Sequence, residues 1–212
     1  LVELSALVQD IQTSYLLNDL KDNDVKDFVN DSMIQIKYMS KTLNDFRNFL
    51  KPSTKKNLFS VSKALNEINE IIGKQIFYSN IQMNFNYKNK NEELLIYGYE
   101  NEFKQVLLNI INNAKNKIVE KNLPLNKKGS IDINIDKCIN YNTIEIIDDA
   151  GEIDEKIINS IFEPYFTTKE DGMGLGLYMA KIIIEDKMRG IINVRNDENR
   201  VIFTIKLPHK KA

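Results

Sequence analysis

The chain has 212 residues and 42% of them are hydrophobic, which is enough for one large domain or two small domains with a buried core. Its 29 basic and 30 acidic residues nearly balance, so no field of one sign indicates nucleic acid or an anionic membrane as the main partner. No apolar run approaches the roughly 18 residues that cross a bilayer, so we expect no membrane segment in this chain. A single cysteine fits a reducing compartment, and we therefore expect a cytoplasmic location.

The first fifty residues contain neither glycine nor proline, and their apolar residues recur at steps of three and four. This spacing predicts two amphipathic helices, separated by the polar stretch 21–24 and ended by Pro52. Two helices cannot shield such wide stripes, so we expect an antiparallel hairpin that pairs with a second copy into a four-helix bundle. The alternative is that the stripes pack on the rest of the same chain. They contain Leu1, Leu4, Val8, Ile11 and Tyr15 in the first helix, and Val25, Val29, Ile36, Met39, Leu43, Phe46 and Leu50 in the second.

From residue 53 onward the chain mixes helix and strand signals, so we place a domain boundary between residues 52 and 53. Helical periodicity predicts helices at 63–77, 101–121, 154–161 and 175–187. Alternating or β-branched apolar runs predict strands at 58–61, 81–87, 94–99, 130–136 and 143–147, and a closing hairpin of 191–195 and 201–207. Mixed strands with helices on one side indicate a two-layer α/β sandwich, which makes the chain α+β overall.

The chain has one cysteine and one histidine. Cys138 excludes an internal disulfide framework and fits a reducing compartment, and we expect it to be a buried structural thiol. His209 lies three residues from the C-terminus, where chain ends are usually poorly ordered, so we expect an exposed tail residue.

The predicted helix at 101–121 carries asparagines at 109, 113 and 116, which share one face. Asparagine is a poor helix former because its amide competes for backbone hydrogen bonds, so several in mid-helix indicate a task for the amides. An amide oxygen suits Mg²⁺, which keeps its other positions for phosphate oxygens and water. Since the chain is rich in asparagine, chance placement on a polar face is the alternative.

Two further segments have the composition of ligand loops. Asp148 ends a predicted buried strand and is followed by Gly151, and an aspartate held there can accept a hydrogen bond from an adenine amino group. At 172–177, alternating glycines precede a predicted helix, whose free N–H groups and positive dipole end favour a phosphate. Taken alone, each segment is also explained by an ordinary turn.

In this order, the three segments and the sequence Phe-Glu-Pro-Tyr-Phe-Thr-Thr-Lys at 162–169 resemble the Bergerat-type ATP-binding domain of sensor histidine kinases. Residues 109–116 are similar to that family's N box, 148–153 to its first Gly box, 162–169 to its F box and 172–177 to its second Gly box. The resemblance covers essentially the whole chain, with 1–52 similar to the dimerisation and phosphotransfer hairpin and 53–212 to the catalytic domain. It implies an ATP-dependent protein-histidine kinase of a two-component system, with ATP and Mg²⁺ as cofactors.

The resemblance also implies roles for individual residues. Asn113 is the expected Mg²⁺ ligand, Asn109 the catalytic residue near the γ-phosphate, and Asp148 the residue that reads adenine. Lys169 would approach the phosphates, and Lys117, one turn beyond Asn113, is a second cation within reach. The other expected nucleotide contacts are Gly151, Phe166, Gly172, Gly174, Leu175, Gly176 and Leu177.

The implied partners are a second copy of the chain, bound through the helical hairpin, and the receiver domain of a response regulator, with no nucleic acid. The family's phosphoaccepting histidine lies early on the first helix, and His209 is not in its place. We therefore expect that histidine about one to two helical turns before Leu1, so that these 212 residues alone cannot autophosphorylate. A membrane anchor, where the sensor has one, lies outside this sequence.

The first Gly box departs from the family pattern at Ala150 and Glu152, where glycines are usual. If the long anionic side chain at 152 points inward, like-charge repulsion predicts weak nucleotide binding. The alternative function is therefore a catalytically impaired dimeric scaffold with a degenerate nucleotide site. An ATPase clamp of the gyrase type is a third interpretation, but that group uses a glutamate as general base where this chain has Asn109.

Overall fold

The computed structural model describes residues 2–88, 93–121, 127–169 and 172–209. The chain divides into two compact units, Leu1–Lys51 and Pro52–Ala212. Several predicted features lie outside the described part. These are Leu1 and the side chains of Leu43, Phe46 and Leu50.

The first unit consists of α1 (Val2–Leu16) and α2 (Asp22–Leu50), which contact each other. The backbone N–H of Lys21 donates to Oδ2 of Asp24 at 2.9 Å, and acidic residues in the first turn of α2 favour its positive dipole end. Much of the apolar stripe stays in contact with solvent, since Val25, Val29 and Ile36 are all more than 40% exposed. Pairing with a second hairpin stays a prediction.

The second unit contains a mixed five-stranded sheet in the order β2-β4-β5-β7-β6, in which β2 runs parallel to β4 and the other pairs are antiparallel. A separate antiparallel pair joins β1 to β3. The elements are β1 (Asn57–Ser60), α3 (Val61–Tyr78), β2 (Ile81–Tyr87), β3 (Leu95–Gly98), α4 (Glu100–Glu120), β4 (Gly129–Lys137), β5 (Tyr141–Asp148), α5 (Gly176–Ile182), β6 (Ile191–Asp197) and β7 (Arg200–Pro208). Helices with a mixed sheet confirm the predicted α+β fold.

The core of this unit forms where α3 and α4 pack on one face of the sheet. Alternate residues of each strand face the helices, as the two-residue period of a strand requires. Ile131, Ile133, Ile144 and Ile146 of β4 and β5 are fully buried there, as are Leu65 of α3 and the apolar face of α4. On β4 the opposite face carries the polar residues of the alternation, Asp132, Asn134 and Asp136.

The closing hairpin turns through Glu198 and Asn199, which have φ values of 48° and 64°. Two consecutive residues with positive φ are typical of the tight turn that matches the twist of paired strands. The predicted helix at 175–187 is present as α5, followed by a π-helical turn over Ile183–Lys187 in which the Met188 N–H donates to the Ile183 carbonyl.

Three expectations are wrong. Residues 154–161 form successive turns rather than a helix, with the N–H groups of Ile157 and Ile158 both bonded to the Asp154 carbonyl. Cys138 is exposed rather than buried, because it follows β4 at the end of the β4–β5 hairpin. His209 is half-buried rather than exposed, and its Nε2 is buried without a hydrogen-bond partner among the described residues.

Candidate nucleotide site

Helix α4 is the rigid element of the site. Phe103, Val106, Leu107, Ile110 and Ile111 are fully buried on one side of this helix, so its orientation is fixed by the core. The neighbouring face carries the half-buried amides of residues 109 and 113, one helical turn apart. Both amides therefore project from a helix whose position is set by packing.

Each of these amides contacts one of the predicted loop segments. Nδ2 of Asn109 donates to the carbonyl of Gly176 at 3.2 Å, which joins α4 to the first residue of α5. Oδ1 of Asn113 accepts from Nζ of Lys169 at 3.0 Å, which joins α4 to the end of the 162–169 segment. The structure thus brings α4 together with two neighbouring segments, 162–169 and 172–177, that lie more than fifty positions further along the chain.

Local hydrogen bonds hold the backbone that carries Lys169. Its N–H donates to Oγ1 of Thr167 at 3.1 Å, and its carbonyl accepts from the N–H of Gly172 at 3.2 Å. A side-chain oxygen that bonds the backbone two residues later is a common turn stabiliser. The Lys169 side chain therefore extends toward α4 from a turn that two hydrogen bonds stabilise.

Gly174 and Gly176 differ in whether their surroundings leave space for a side chain. Gly174 has a φ of 65°, and a Cβ there would lie 2.6 Å from the carbonyl oxygen of Tyr165 and 2.7 Å from the Phe166 nitrogen. Only glycine fits beside that backbone. A Cβ on Gly176 would instead meet Asn109 at 3.7 Å, an ordinary contact distance.

Asp148 is the last residue of β5 and is buried, with 4% of its surface exposed. The pKa of its carboxyl is raised from 3.8 to about 6, mainly by burial and also by the charge of the neighbouring Asp149. Two groups lower this pKa. They are the N–H of Ala150, which donates to Oδ1 at 3.1 Å, and the Lys121 ammonium. A buried carboxylate with spare acceptor capacity suits recognition of a ligand amino group.

Lys121 is a site neighbour that sequence reasoning missed. Its Nζ donates to the Asp149 carbonyl at 3.4 Å and would lie 3.5 Å from a Cβ placed on Gly151, whose φ is 99°. The cation thus stands beside the 148–153 loop at the end of α4. Its position at the C-terminal end of the predicted helix 101–121 was the available signal, because cations favour that end of the helix dipole.

Two more side chains connect the same loop to the closing hairpin. The amide of Asn196 bonds both backbone groups of Ile153, and a carboxylate oxygen of Glu152 accepts from the Asn199 N–H at 3.3 Å. Neither contact has a signature in the sequence.

The remaining residues that we predicted to contact nucleotide are Lys117, Phe166, Leu175 and Leu177. Nζ of Lys117 pairs with Glu120 at 2.6 Å, so this lysine is engaged on the surface of its own helix. Phe166, Leu175 and Leu177 are half-buried, and Leu175 immediately precedes α5.

No group of three or more His, Cys, Asp or Glu that could hold a metal ion occurs in residues 2–88, 93–121, 127–169 and 172–209. Among the helices that the structure describes, none combines the length and apolar content needed to cross a membrane.

A family model described as histidine kinase-, DNA gyrase B-, and HSP90-like ATPase matches residues 98–211, more than half of the chain. The chain belongs to this family. It is 31% identical over 156 residues to sporulation kinase A of Bacillus subtilis, a match that covers 73% of this chain and 24% of that kinase. A second match, 25% identical to sporulation kinase C of the same organism, covers 99% of this chain and 46% of that kinase. The chain thus spans less than half the length of either relative.

Solved structures of histidine kinases have the same fold. The nucleotide-free catalytic domain of histidine kinase ThkA is 29% identical, with a TM-score of 0.62 over 73% of this chain and 96% of that domain. Histidine kinase ThkA in complex with the response regulator protein TrrA gives a TM-score of 0.60 over 97% of this chain and 58% of that one, at 23% identity. The second match speaks for the fold alone.

Proposed function

We propose that the chain is the kinase core of a two-component sensor histidine kinase, which binds Mg-ATP and transfers its γ-phosphoryl group to a histidine. The observation that carries the proposal is the contact of Lys169 with Asn113, beside that of Asn109 with Gly176. Together they gather two amides, an ammonium group and the start of a helix at one place. Such groups suit a triphosphate, whose transfer depends on positioning and charge neutralisation.

Within this proposal, the adenine end of the nucleotide lies at the 148–153 loop. Asp148 accepts a hydrogen bond from the adenine amino group, and Gly151 lets the base approach the backbone. The phosphates lie toward α5, where Lys169 supplies positive charge and the free N–H groups at the start of the helix act as donors. The remaining proposed contacts are Lys117, Phe166, Gly172, Gly174, Leu175, Gly176 and Leu177.

Magnesium is the metal that the family implies, and the residues present fit it. Oδ1 of Asn113 already contacts a cation, the Lys169 ammonium, so this oxygen is directed toward positive charge. A neutral amide oxygen is a ligand type that Mg²⁺ accepts. Asn113 would hold the ion and Asn109 would orient the γ-phosphate beside it. When bound, Mg²⁺ neutralises charge on the phosphoryl group that is transferred.

The proposed phosphate acceptor is a histidine upstream of Leu1, because His209 follows the last strand and has a partly buried ring. Residues 1–52 are proposed to dimerise through the apolar residues that α1 and α2 leave exposed. A response regulator is the proposed partner, bound through its receiver domain; histidine kinase ThkA, whose catalytic domain is 29% identical to this chain, forms a complex with the response regulator protein TrrA. The proposed location is cytoplasmic.

Phosphorylation of the intact reading frame with γ-labelled ATP tests this function. We expect a label that is stable in alkali and lost in acid, as a phosphohistidine requires, located before Leu1 and unchanged by His209→Gln. Prompt release of free phosphate by the pure protein would indicate the clamp-type ATPase instead. An acid-stable label would contradict histidine phosphorylation.

A further inference from the structure

The side chain of Asn196 makes a two-way bridge to the loop that follows β5. Its Oδ1 accepts from the N–H of Ile153 at 2.9 Å, and its Nδ2 donates to the carbonyl of the same residue at 2.8 Å. Both bonds are short, and the site is partly buried. The amide thereby does for this loop residue what a neighbouring strand would do, because it satisfies the backbone donor and acceptor together.

The strand register explains why the bridge acts on the predicted adenine loop. Asp148 pairs with Val201 on β7, and Val201 pairs with Asn196 on β6, so the three residues form one row across the sheet. Residues in one row share a face, and here it is the face covered by helices. Asp148, at the start of the loop, and Asn196, which binds Ile153 near its end, therefore lie in the same row on the same face of the sheet.

A second contact ties the loop to the same hairpin. Oε1 of Glu152 accepts from the backbone N–H of Asn199 at 3.3 Å, in the tight turn between β6 and β7. The carboxylate of Glu152, which stands where the family usually has a glycine, thus accepts a hydrogen bond from the hairpin turn. This use of the side chain differs from the repulsion of phosphate that the sequence suggested.

We propose that Asn196 is a positioning residue for nucleotide recognition, and that Glu152 assists it. Together they tie the 149–153 loop to the β6–β7 hairpin, so that Asp148 and Gly151 keep the arrangement that receives adenine. The proposal rests on the proposed function, because it assigns a task to residues beside the same site. It predicts that loss of the tie weakens recognition of the base and leaves the interaction with phosphates intact.

The test compares Asn196→Ala with Asn193→Ala in the 212-residue chain. Asn193 is the matched control, since it lies on the same strand with its side chain exposed on the opposite face. Amide hydrogen exchange is measured first without nucleotide, and we expect the Ile153 N–H to exchange at least about tenfold faster in Asn196→Ala only. Binding of a non-hydrolysable ATP analogue and of inorganic tripolyphosphate is then measured with Mg²⁺. We expect the dissociation constant for the analogue to rise about tenfold and that for tripolyphosphate to stay within about twofold.

Glu152 is tested with two variants. Glu152→Gln keeps an acceptor oxygen for the Asn199 N–H and removes the charge, whereas Glu152→Ala removes both. We expect wild-type affinity for the analogue in the first variant and a loss of about threefold in the second, near the net value of one hydrogen bond. Tighter binding by both variants would mean that the charge repels the nucleotide, and would overturn the assisting role.

The two proposals fail in different ways. If Asn196→Ala binds the ATP analogue as tightly as the wild type does, the positioning role is overturned and nucleotide binding stands. An equal loss for the analogue and tripolyphosphate would show a general structural effect and would also overturn the positioning role. A wild-type chain that binds neither compound would refute the proposed function itself, whatever the exchange of Ile153.

Discussion

Nζ of Lys169 donates a hydrogen bond of 3.0 Å to Oδ1 of Asn113, across 56 positions of sequence. The bond directs an ammonium group and an amide oxygen toward the same volume beside α5. If phosphates and their metal ion occupy that volume, both side chains exchange this contact for contacts with the ligand. The relationship therefore makes the two residues testable as a pair.

Lys169→Met is expected to weaken binding of a Mg-bound ATP analogue about tenfold, or about 1.4 kcal/mol, because a charge-assisted hydrogen bond to phosphate is lost. Lys156→Met is the control, since this lysine is exposed and lies in the turn region after the loop. Isothermal titration at two salt concentrations measures both variants. Equal affinities for the two variants would remove Lys169 from the phosphate site.

Gly174→Ala and Gly176→Ala should differ sharply in stability. A methyl group at 174 would lie 2.6 Å from the Tyr165 carbonyl oxygen on a backbone with φ of 65°, whereas one at 176 makes only an ordinary contact. We expect Gly174→Ala to lose roughly 1–3 kcal/mol and Gly176→Ala to fold as stably as the wild type. Thermal unfolding measures both, and a stable Gly174→Ala would contradict the described turn.

The contribution of Asp148 to folding stability should be more favourable at acidic pH than at neutral pH. Its pKa is about 6 when folded and 3.8 ordinarily, so between about pH 4 and pH 6 the folded chain holds a proton that the unfolded chain has lost. The contribution of this group to stability therefore falls as pH rises through that window and is constant above it. Asp148→Asn keeps an acceptor for the Ala150 N–H and should gain at most roughly 3 kcal/mol at pH 7.5. Urea unfolding at pH 5 and 7.5 measures the difference.

The same carboxyl should control nucleotide affinity in the opposite sense. The ionised form is the acceptor for the adenine amino group, so affinity for the analogue should fall as pH drops below about 6. In Asp148→Asn this part of the pH dependence should be absent. An identical profile in the variant would assign the titration to another group.

The N-terminus of α4 is capped from a distance by Ser53. The N-cap residue Tyr99 provides no side-chain cap, whereas the Asn101 N–H donates to the Ser53 Oγ at 3.1 Å and the Ser53 N–H donates to Glu102 at 3.2 Å. Ser53→Ala should cost about 1 kcal/mol of unfolding free energy. Glu102→Ala should cost more, roughly 2 kcal/mol, because it removes a buried carboxylate, 5% exposed, that accepts from the part-buried Ser53 N–H.

Glu120→Ala is the control for this cap, since it removes an exposed ion pair with Lys117 and should cost less than about 0.5 kcal/mol. Chemical unfolding of the three variants gives the comparison. A loss in Glu102→Ala no larger than in Glu120→Ala would show that the cap does not stabilise α4.

The α+β fold was predictable because its strands have regular alternation and its long helices have clear periodicity. The turns at 154–161 have the apolar spacing of a helix, and over eight residues this spacing does not separate a helix from repeated turns. The exposure of Cys138 depends on where the β4–β5 hairpin ends, which local pattern does not specify.

The candidate site divides in the same way. Asn109, Asn113, Asp148, Lys169 and the glycine run lie in contiguous segments with a recognisable order, so they could be selected from the sequence. Asn196 acts through the register of β5, β7 and β6, and register is a property of pairing that no single strand contains. The contact of its side chain with Ile153 depends on the tertiary packing of the loop against the hairpin, which neither segment specifies by itself.

The most direct test of the account is equilibrium binding of a non-hydrolysable ATP analogue to the 212-residue chain, with and without Mg²⁺, in the wild type and in Asn113→Ala. We predict saturable binding of one analogue per chain that tightens about tenfold with Mg²⁺, and loss of that magnesium effect in Asn113→Ala. An affinity that Mg²⁺ and the substitution leave unchanged, or no binding at all, would contradict a magnesium–nucleotide site at Asn113.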